Sequence, residues 1–222
     1  MSRGRVLVLG ASGRTGRRVV KALQRHGFPV RALVRNPASR PELESDSVEV
    51  VVGEVTQEDD LRRAMQGVRY VVSALGSKAP TDAAHIELVE FTTIAEAAQI
   101  AYENGVEQFV LCSSMGVEIP DMIPPLAEIL RQKRRGELAL EGSGVPFTIV
   151  RPGGLTNAPS NGVAIARTLP GFGMISRDDV AEVMVQALLQ PRARNKIVEI
   201  INDPEAGPAD RPNLFDEVEV AR

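Results

Sequence analysis

The residues best placed to do chemistry come early: Gly10-Ala11-Ser12-Gly13-Arg14-Thr15-Gly16, directly behind the apolar run Val6 to Leu9. Glycines at this spacing, where a strand hands over to a helix, divide the work. Gly10 permits the tight turn, Gly13 lets backbone amides approach a diphosphate, and Gly16 allows the helix to pack close to the strand. Ser12, Arg14 and Thr15 fill the loop between them. The expectation is a dinucleotide whose diphosphate sits at the helix N-terminus. Which dinucleotide depends on the end of the second apolar run, Leu33-Val34-Arg35-Asn36. An acid there would accept bonds from the ribose hydroxyls of NAD. Arg35 instead offers a fork of donors and a permanent charge, which suits the extra phosphate of NADP. Arg40 and Arg14 add to this basic patch, so NADP(H) is the expected cofactor; the bland alternative is a solvated Arg35.

Other reactive groups are sparse. Cys112 is the single cysteine, which excludes an intramolecular disulfide, and with only two histidines the usual zinc ligand sets are missing. Cys112 lies in an apolar run with no activating base in view, so it reads as inert. His85 could donate a proton or merely cap a helix, and His26 suits the dipole at the end of the first helix.

These groups need positioning elements, and the pattern supplies strands alternating with helices. Strands are expected at Val6 to Leu9, Val30 to Val34, Val48 to Val52, Tyr70 to Leu75, Gln108 to Cys112, Phe147 to Val150 and Lys196 to Ile201. Between them, helices are expected from about Thr15 to His26, Glu58 to Met65 and His85 to Glu103, then after Pro124-Pro125, and finally behind an N-cap at Ser176. Such alternation implies a doubly wound parallel sheet covered on both faces, a three-layer, Rossmann-like α/β/α fold. Residues 156–173, rich in glycine, proline and small polar residues, read as a substrate-side loop.

The 222 residues suit one domain, here 1–203, followed by an irregular tail over 204–222 broken by Pro204, Gly207, Pro208 and Pro212. Leu214, Phe215, Val218 and Val220 in that tail could dock on a surface, on a protein partner or on a second copy. A net charge of −3 and an aromatic content of 4% argue against nucleic acid as a partner. No run reaches the roughly 18 apolar residues of a membrane span. A cytoplasmic, reducing location is expected.

The glycine loop and Arg35, with Gly53-Glu54-Val55 after strand three, Ser73-Ala74-Leu75-Gly76 at strand four, Ser113-Ser114 after strand five and Arg151-Pro152-Gly153-Gly154 after strand six, resemble the atypical short-chain dehydrogenase/reductase family. The chain looks most like its compact NAD(P)H-binding branch, which includes biliverdin/flavin reductases and NmrA-like proteins. The resemblance spans roughly Arg5 to Ile201. It implies that Glu54 and Val55 flank the adenine, where an aspartate is more common. It also implies that Leu75 and Gly76 line the path to the nicotinamide, that Pro152 and Gly153 abut that ring, and that Ser113 or Ser114 stands near its carboxamide or the substrate. One departure matters. Short-chain dehydrogenases typically carry Tyr-x-x-x-Lys, the lysine lowering the tyrosine's pKa for proton transfer; this chain has Ile129 and Lys133.

An alkoxide formed from a ketone needs a proton at once, so a site lacking the tyrosine suits acceptors that spread incoming charge: isoalloxazines, quinones or linear tetrapyrroles. The expected activity is NADPH-dependent hydride transfer to such a small planar substrate, with orientation and exclusion of water as the protein's contribution. Ser113 and Ser114 would bond an acceptor carbonyl, or only their own strand-end turn. Lys133 would hold the nicotinamide ribose or developing negative charge, or only decorate a solvated helix face. The alternative from another class is a non-catalytic NADP(H) sensor of NmrA-like type.

Overall fold

Five strands among the described residues, the first, second, fourth, fifth and sixth in chain order, are buried along their whole length, and they assemble side by side in the sheet. The computed structural model describes residues 3–77, 81–216 and 218. In chain order the elements are β1 (Val6–Leu9), α1 (Arg14–Arg25), β2 (Val30–Val34), α2 (Arg40–Leu43), β3 (Val48–Val52), α3 (Glu58–Met65) and β4 (Tyr70–Ser73). Then come α4 (Ala83–Glu87), a π-helical turn (Leu88–Thr92), α5 (Thr93–Glu103), β5 (Gln108–Cys112), α6 (Ala127–Gly142) and β6 (Phe147–Pro152). The last are β7 (Gly154–Thr156), β8 (Val163–Ala166), β9 (Met174–Ser176), α7 (Arg177–Leu189) and β10 (Lys196–Asn202). The main sheet has the order β3-β2-β1-β4-β5-β6-β10-β8, and β7 pairs with β9 apart from it. The order reverses between β1 and β4, which opens the crevice where α/β proteins bind ligands.

The side chains alternate across the sheet. Val6 and Val8 point into one core layer with Val19 and Leu23 of α1 and Val180 and Met184 of α7. Leu7 and Leu9 point into the other, with Leu61 of α3, Ile94 and Ala98 of α5 and Leu140 of α6. This is the expected doubly wound, Rossmann-like arrangement, and Gly27 stops α1 at a φ of +71° as its placement suggested.

The differences are local. The stretch read as a loop over 156–173 contains β8, which pairs antiparallel with β10 at the sheet edge, Ile165 opposite Ile200; four residues between glycine- and proline-rich flanks leave too short a signal. The helix read as continuous from His85 to Glu103 is interrupted by the π turn. β4 ends at Ser73 rather than Leu75, and β6 runs on to Pro152, which stands opposite Ile200. The tail is irregular, as expected, but Leu214, Phe215 and Val218 are buried in this chain's own core. The Lys196 ammonium is buried with them and donates to the Phe215 and Val218 carbonyls. These side chains are therefore not offered to a partner or a second copy; Val220 lies outside the described residues. No helix among the described residues is long and apolar enough to cross a membrane.

Candidate functional site

At the carboxyl ends of β1 to β4 lies a cleft of about 340 Å³, lined among others by Gly10, Ser12, Gly13, Arg35, Glu54, Val55, Leu75 and Gly76. Eight of the residues expected to hold the cofactor thus line one cleft. Gly10 has a φ of +77°, and a Cβ there would come within 2.8 Å of the Ala74 carbonyl oxygen; a Cβ on Gly16 would lie 2.1 Å from the Gly10 carbonyl oxygen. Gly13 caps α1 with no side-chain bond, and the first turn carries no acid. Its amides are thus left for an anion. Backbone pressed this close, an uncapped helix start and Arg35 in the wall fit a dinucleotide phosphate run.

Three expected residues play other parts. Arg40 does not reach the cleft: its guanidinium donates to the Val50 carbonyl at 3.1 Å and lies 3.8 Å from Glu44, drawn back onto β3 and its own helix. Pro152 completes β6 within the sheet, and Gly153 bonds Ile200; a Cβ on Gly153 would stand 2.2 Å from the Gly173 carbonyl oxygen. Close passage of the Gly173 strand explains that glycine without a ligand. Thr15 and Gly16 sit within α1, behind the cleft wall, and Arg14 is exposed beside it.

Leu75 also lines a second void of only about 10 Å³, walled by Glu90, Ile94, Leu111, Cys112, Ser113 and Lys133. The two serines differ here. Ser114 Oγ donates to the Met115 carbonyl at 3.0 Å, whereas Ser113 Oγ is buried with no hydrogen-bond partner among the described residues. A buried hydroxyl without a partner costs free energy unless something else uses it. Ser113→Ala is expected to leave the melting temperature within about 1 °C, there being no bond to lose, while turnover drops about tenfold or more. Ser114→Ala costs about 0.5–1 kcal/mol of stability. Thermal melts beside steady-state rates decide; a large drop in melting temperature for Ser113→Ala would show that the hydroxyl is structural.

Lys133 is not on a solvated face. Its ammonium donates to Glu90 Oε2 at 2.8 Å, the lysine and glutamate side chains being 15% and 4% exposed, and Glu90 Oε1 accepts the Ser77 amide at 2.7 Å. Burial works against the Lys133 charge, but Glu90 outweighs it and holds the ammonium above the ordinary lysine range. The contribution of Lys133 to stability through this pair is therefore present at neutral pH and is lost as pH rises through that raised value. Glu90→Gln removes the opposing charge and leaves burial to act alone. The alkaline limb of a pH–rate profile should then move to lower pH; an unchanged limb would remove Lys133 from the proton inventory.

Glu90 was not among the sequence-derived candidates. A carboxylate between Val89 and Phe91, inside an otherwise apolar-periodic helix, was the available signal. Cys112 is as inert as expected, burial pushing its thiol up to about 11. His85 lines the cleft, and His26 pairs with Glu182 of α7 at 2.6 Å. Among the described residues, no group of three or more histidine, cysteine or acidic side chains could hold a metal ion.

The profile of a protein family described as NAD(P)H-binding matches residues 10–191. The chain belongs to this NAD(P)H-binding family. A chloroplastic protein of Arabidopsis thaliana is 34% identical over 95% of this chain and 81% of its own length. Sanguinarine reductase of Eschscholzia californica is 32% identical over 90% of this chain and 89% of its own. A solved Bacillus halodurans structure, described as an NAD-dependent epimerase/dehydratase, shares 30% identity and a TM-score of 0.89 over 97% of this chain and 100% of that one. The resemblance to a dehydrogenase/reductase branch is borne out, and the family-matched span includes both the cleft and the void beside Leu75.

Proposed function

We propose that this family member is an NADPH-dependent reductase of planar, conjugated acceptors such as flavins, quinones or linear tetrapyrroles. One observation carries the reading: Leu75 lines both the glycine-loop cleft and a void of about 10 Å³ beside the Ser113 hydroxyl, which has no partner among the described residues, and the Glu90–Lys133 ion pair. Gly10, Ser12, Gly13 and Arg35 would hold the phosphates, with Glu54 and Val55 at the adenine and Leu75 and Gly76 on the path to the nicotinamide. When bound, the reduced nicotinamide supplies a hydride. Ser113 would then donate its hydroxyl hydrogen to an acceptor carbonyl, and the Lys133 ammonium would stabilise negative charge developing beyond it. Glu90 holds that ammonium in place.

The acid position one turn before Lys133 is Ile129, which contributes no proton. This favours acceptors that delocalise charge and take their proton from solvent or a weak acid. Exposed apolar side chains would suit the same class if they cover the acceptor: Ile119, Met122, Leu126, Phe172 and Met174 are all exposed around the β5–α6 and β8–β9 connections. A relative named as a reductase agrees with the reaction type.

The test is NADPH oxidation followed by absorbance, with FMN, riboflavin, biliverdin and several quinones, beside a direct NADPH titration. Acceptor-dependent oxidation is the expected result. Tight NADPH binding with no turnover across the panel would sink the reductase reading and favour an NADP(H) sensor.

A further inference from the structure

Most arginines on this chain face a carboxylate; Arg177, at the start of α7, does not. It is 8% exposed, and among the described residues no acid lies within ion-pair distance of it. Its one hydrogen-bond partner is the Asn157 amide oxygen, at 3.0 Å. Arg18 also reaches that oxygen, at 3.5 Å, and donates to the Arg14 carbonyl at 2.8 Å. Arg14, next to Gly13 of the glycine loop, likewise has no ion pair among the described residues. The one acid in the group is Asp178, 3.1 Å from Arg18 Nε. Three guanidinium charges less one carboxylate leave an excess of two positive charges. Burial, together with repulsion from Arg14 and Arg18, makes the charged form of Arg177 harder to keep than that of an ordinary arginine.

A buried guanidinium without a counter-charge is destabilising, so its retention points to a ligand that brings the charge. We propose that Arg177, with Arg14 and Arg18, forms a phosphate clamp for the cofactor's diphosphate beside the N-terminus of α1. Arg14 brings the cluster next to Gly13 in the cleft wall, although none of the three arginines lines the cleft itself. A diphosphate carries about two negative charges where the cluster has two to spare, and guanidinium forks match phosphate oxygens. The 2′-phosphate is handled elsewhere, by Arg35 at the far end of the cleft. The Asn157 amide oxygen accepts from both Arg18 and Arg177, and thereby ties the loop after β7 to the clamp. The inference rests on the proposed cofactor role but reaches a residue 161 positions beyond the loop's last glycine, Gly16.

The experiment compares the full chain with Arg177→Gln, Arg177→Lys and Arg14→Gln by calorimetric titration of NADP⁺, inorganic pyrophosphate and 2′-AMP. The expected result is at least a tenfold loss for NADP⁺ and pyrophosphate in Arg177→Gln, partial recovery in Arg177→Lys, and 2′-AMP binding within about twofold of the unaltered chain. Arg14 is exposed, so its variant folds and should show the same selective loss if Arg177→Gln does not fold. Unaltered pyrophosphate and NADP⁺ affinity in these variants, or an equal loss for 2′-AMP, would overturn the clamp. Pyrophosphate binding that depends on Arg177 in a chain that ignores NADP⁺ would keep the clamp and reject the cofactor reading.

Discussion

Arg35→Glu is expected to weaken NADPH by about a hundredfold or more while leaving NADH within a few-fold. Hydrogen bonds to a charged group contribute roughly 1.5–3 kcal/mol each, and reversing the charge adds repulsion to the loss, so a hundredfold change, about 2.7 kcal/mol, is a conservative figure. The geometry sharpens the contrast. Arg35 follows β2 directly, lines the cleft, and stands 3.6 Å from Glu54 with 69% of its side chain exposed, so nothing but a ligand would hold its fork. A glutamate there could instead accept from ribose hydroxyls, as acids do at this place in NAD-binding sheets. Parallel fluorescence titrations of the two reduced cofactors read the ratio directly. Equal loss for both would refute the phosphate assignment.

The second large effect is structural. Glu137 of α6 is completely buried and receives Arg151 of β6 in a two-bond fork, at 3.0 and 2.8 Å, with Arg134 as a third donor at 2.9 Å. Burial opposes the Arg151 charge, and Glu137 more than compensates, raising the guanidinium above its ordinary value. Removing Glu137 leaves the buried Arg151 with only the exposed Glu118, 2.9 Å away, as a partner. Glu137→Leu should therefore cost about 3–5 kcal/mol, lowering the melting temperature by roughly 10 °C in a domain of this size. Adding Arg151→Met should recover much of that, because an apolar pair of similar volume no longer leaves a charge buried alone. Thermal melts of the single and double variants decide, and a single variant that melts within about 2 °C of the unaltered chain would show that water already reaches the pair. The fork also fixes α6 against the end of β6 one turn beyond Lys133, so it helps aim the ammonium at the void.

Much of this was legible from residue order because parallel strands buried on both faces leave an unmistakable trace. Val6 to Leu9, Val30 to Val34 and Gln108 to Cys112 were read to the residue for that reason. The glycine loop was legible because three glycines at set spacing each answer a steric demand. What escaped was tertiary. Lys133, flanked by Arg134 and Arg135, looks like one of a run of surface charges until α6 is seen to pack against the π turn, where a Cβ on Gly136 would lie 2.4 Å from the Glu90 carbonyl oxygen. Arg40 looked like a phosphate ligand because its charge is visible in a sequence and its direction is not. Arg177 carries no local signal, because its meeting with Arg14 and Arg18 depends on α7 packing against α1.

The π turn at Leu88–Thr92 sets two halves of one helical rod out of step. An α-helix advances about 100° per residue, so a single extra residue held in one turn rotates everything before it by about that angle relative to everything after. The α5 half keeps Ile94, Ala97, Ala98 and Ala101 against the sheet. The preceding half is thereby freed to turn His85, Leu88 and Val89 toward the cleft, with Glu90 at the seam. Deleting one residue from that turn would restore the phase, and the same amino acids would then face the core and the ligand in the wrong order.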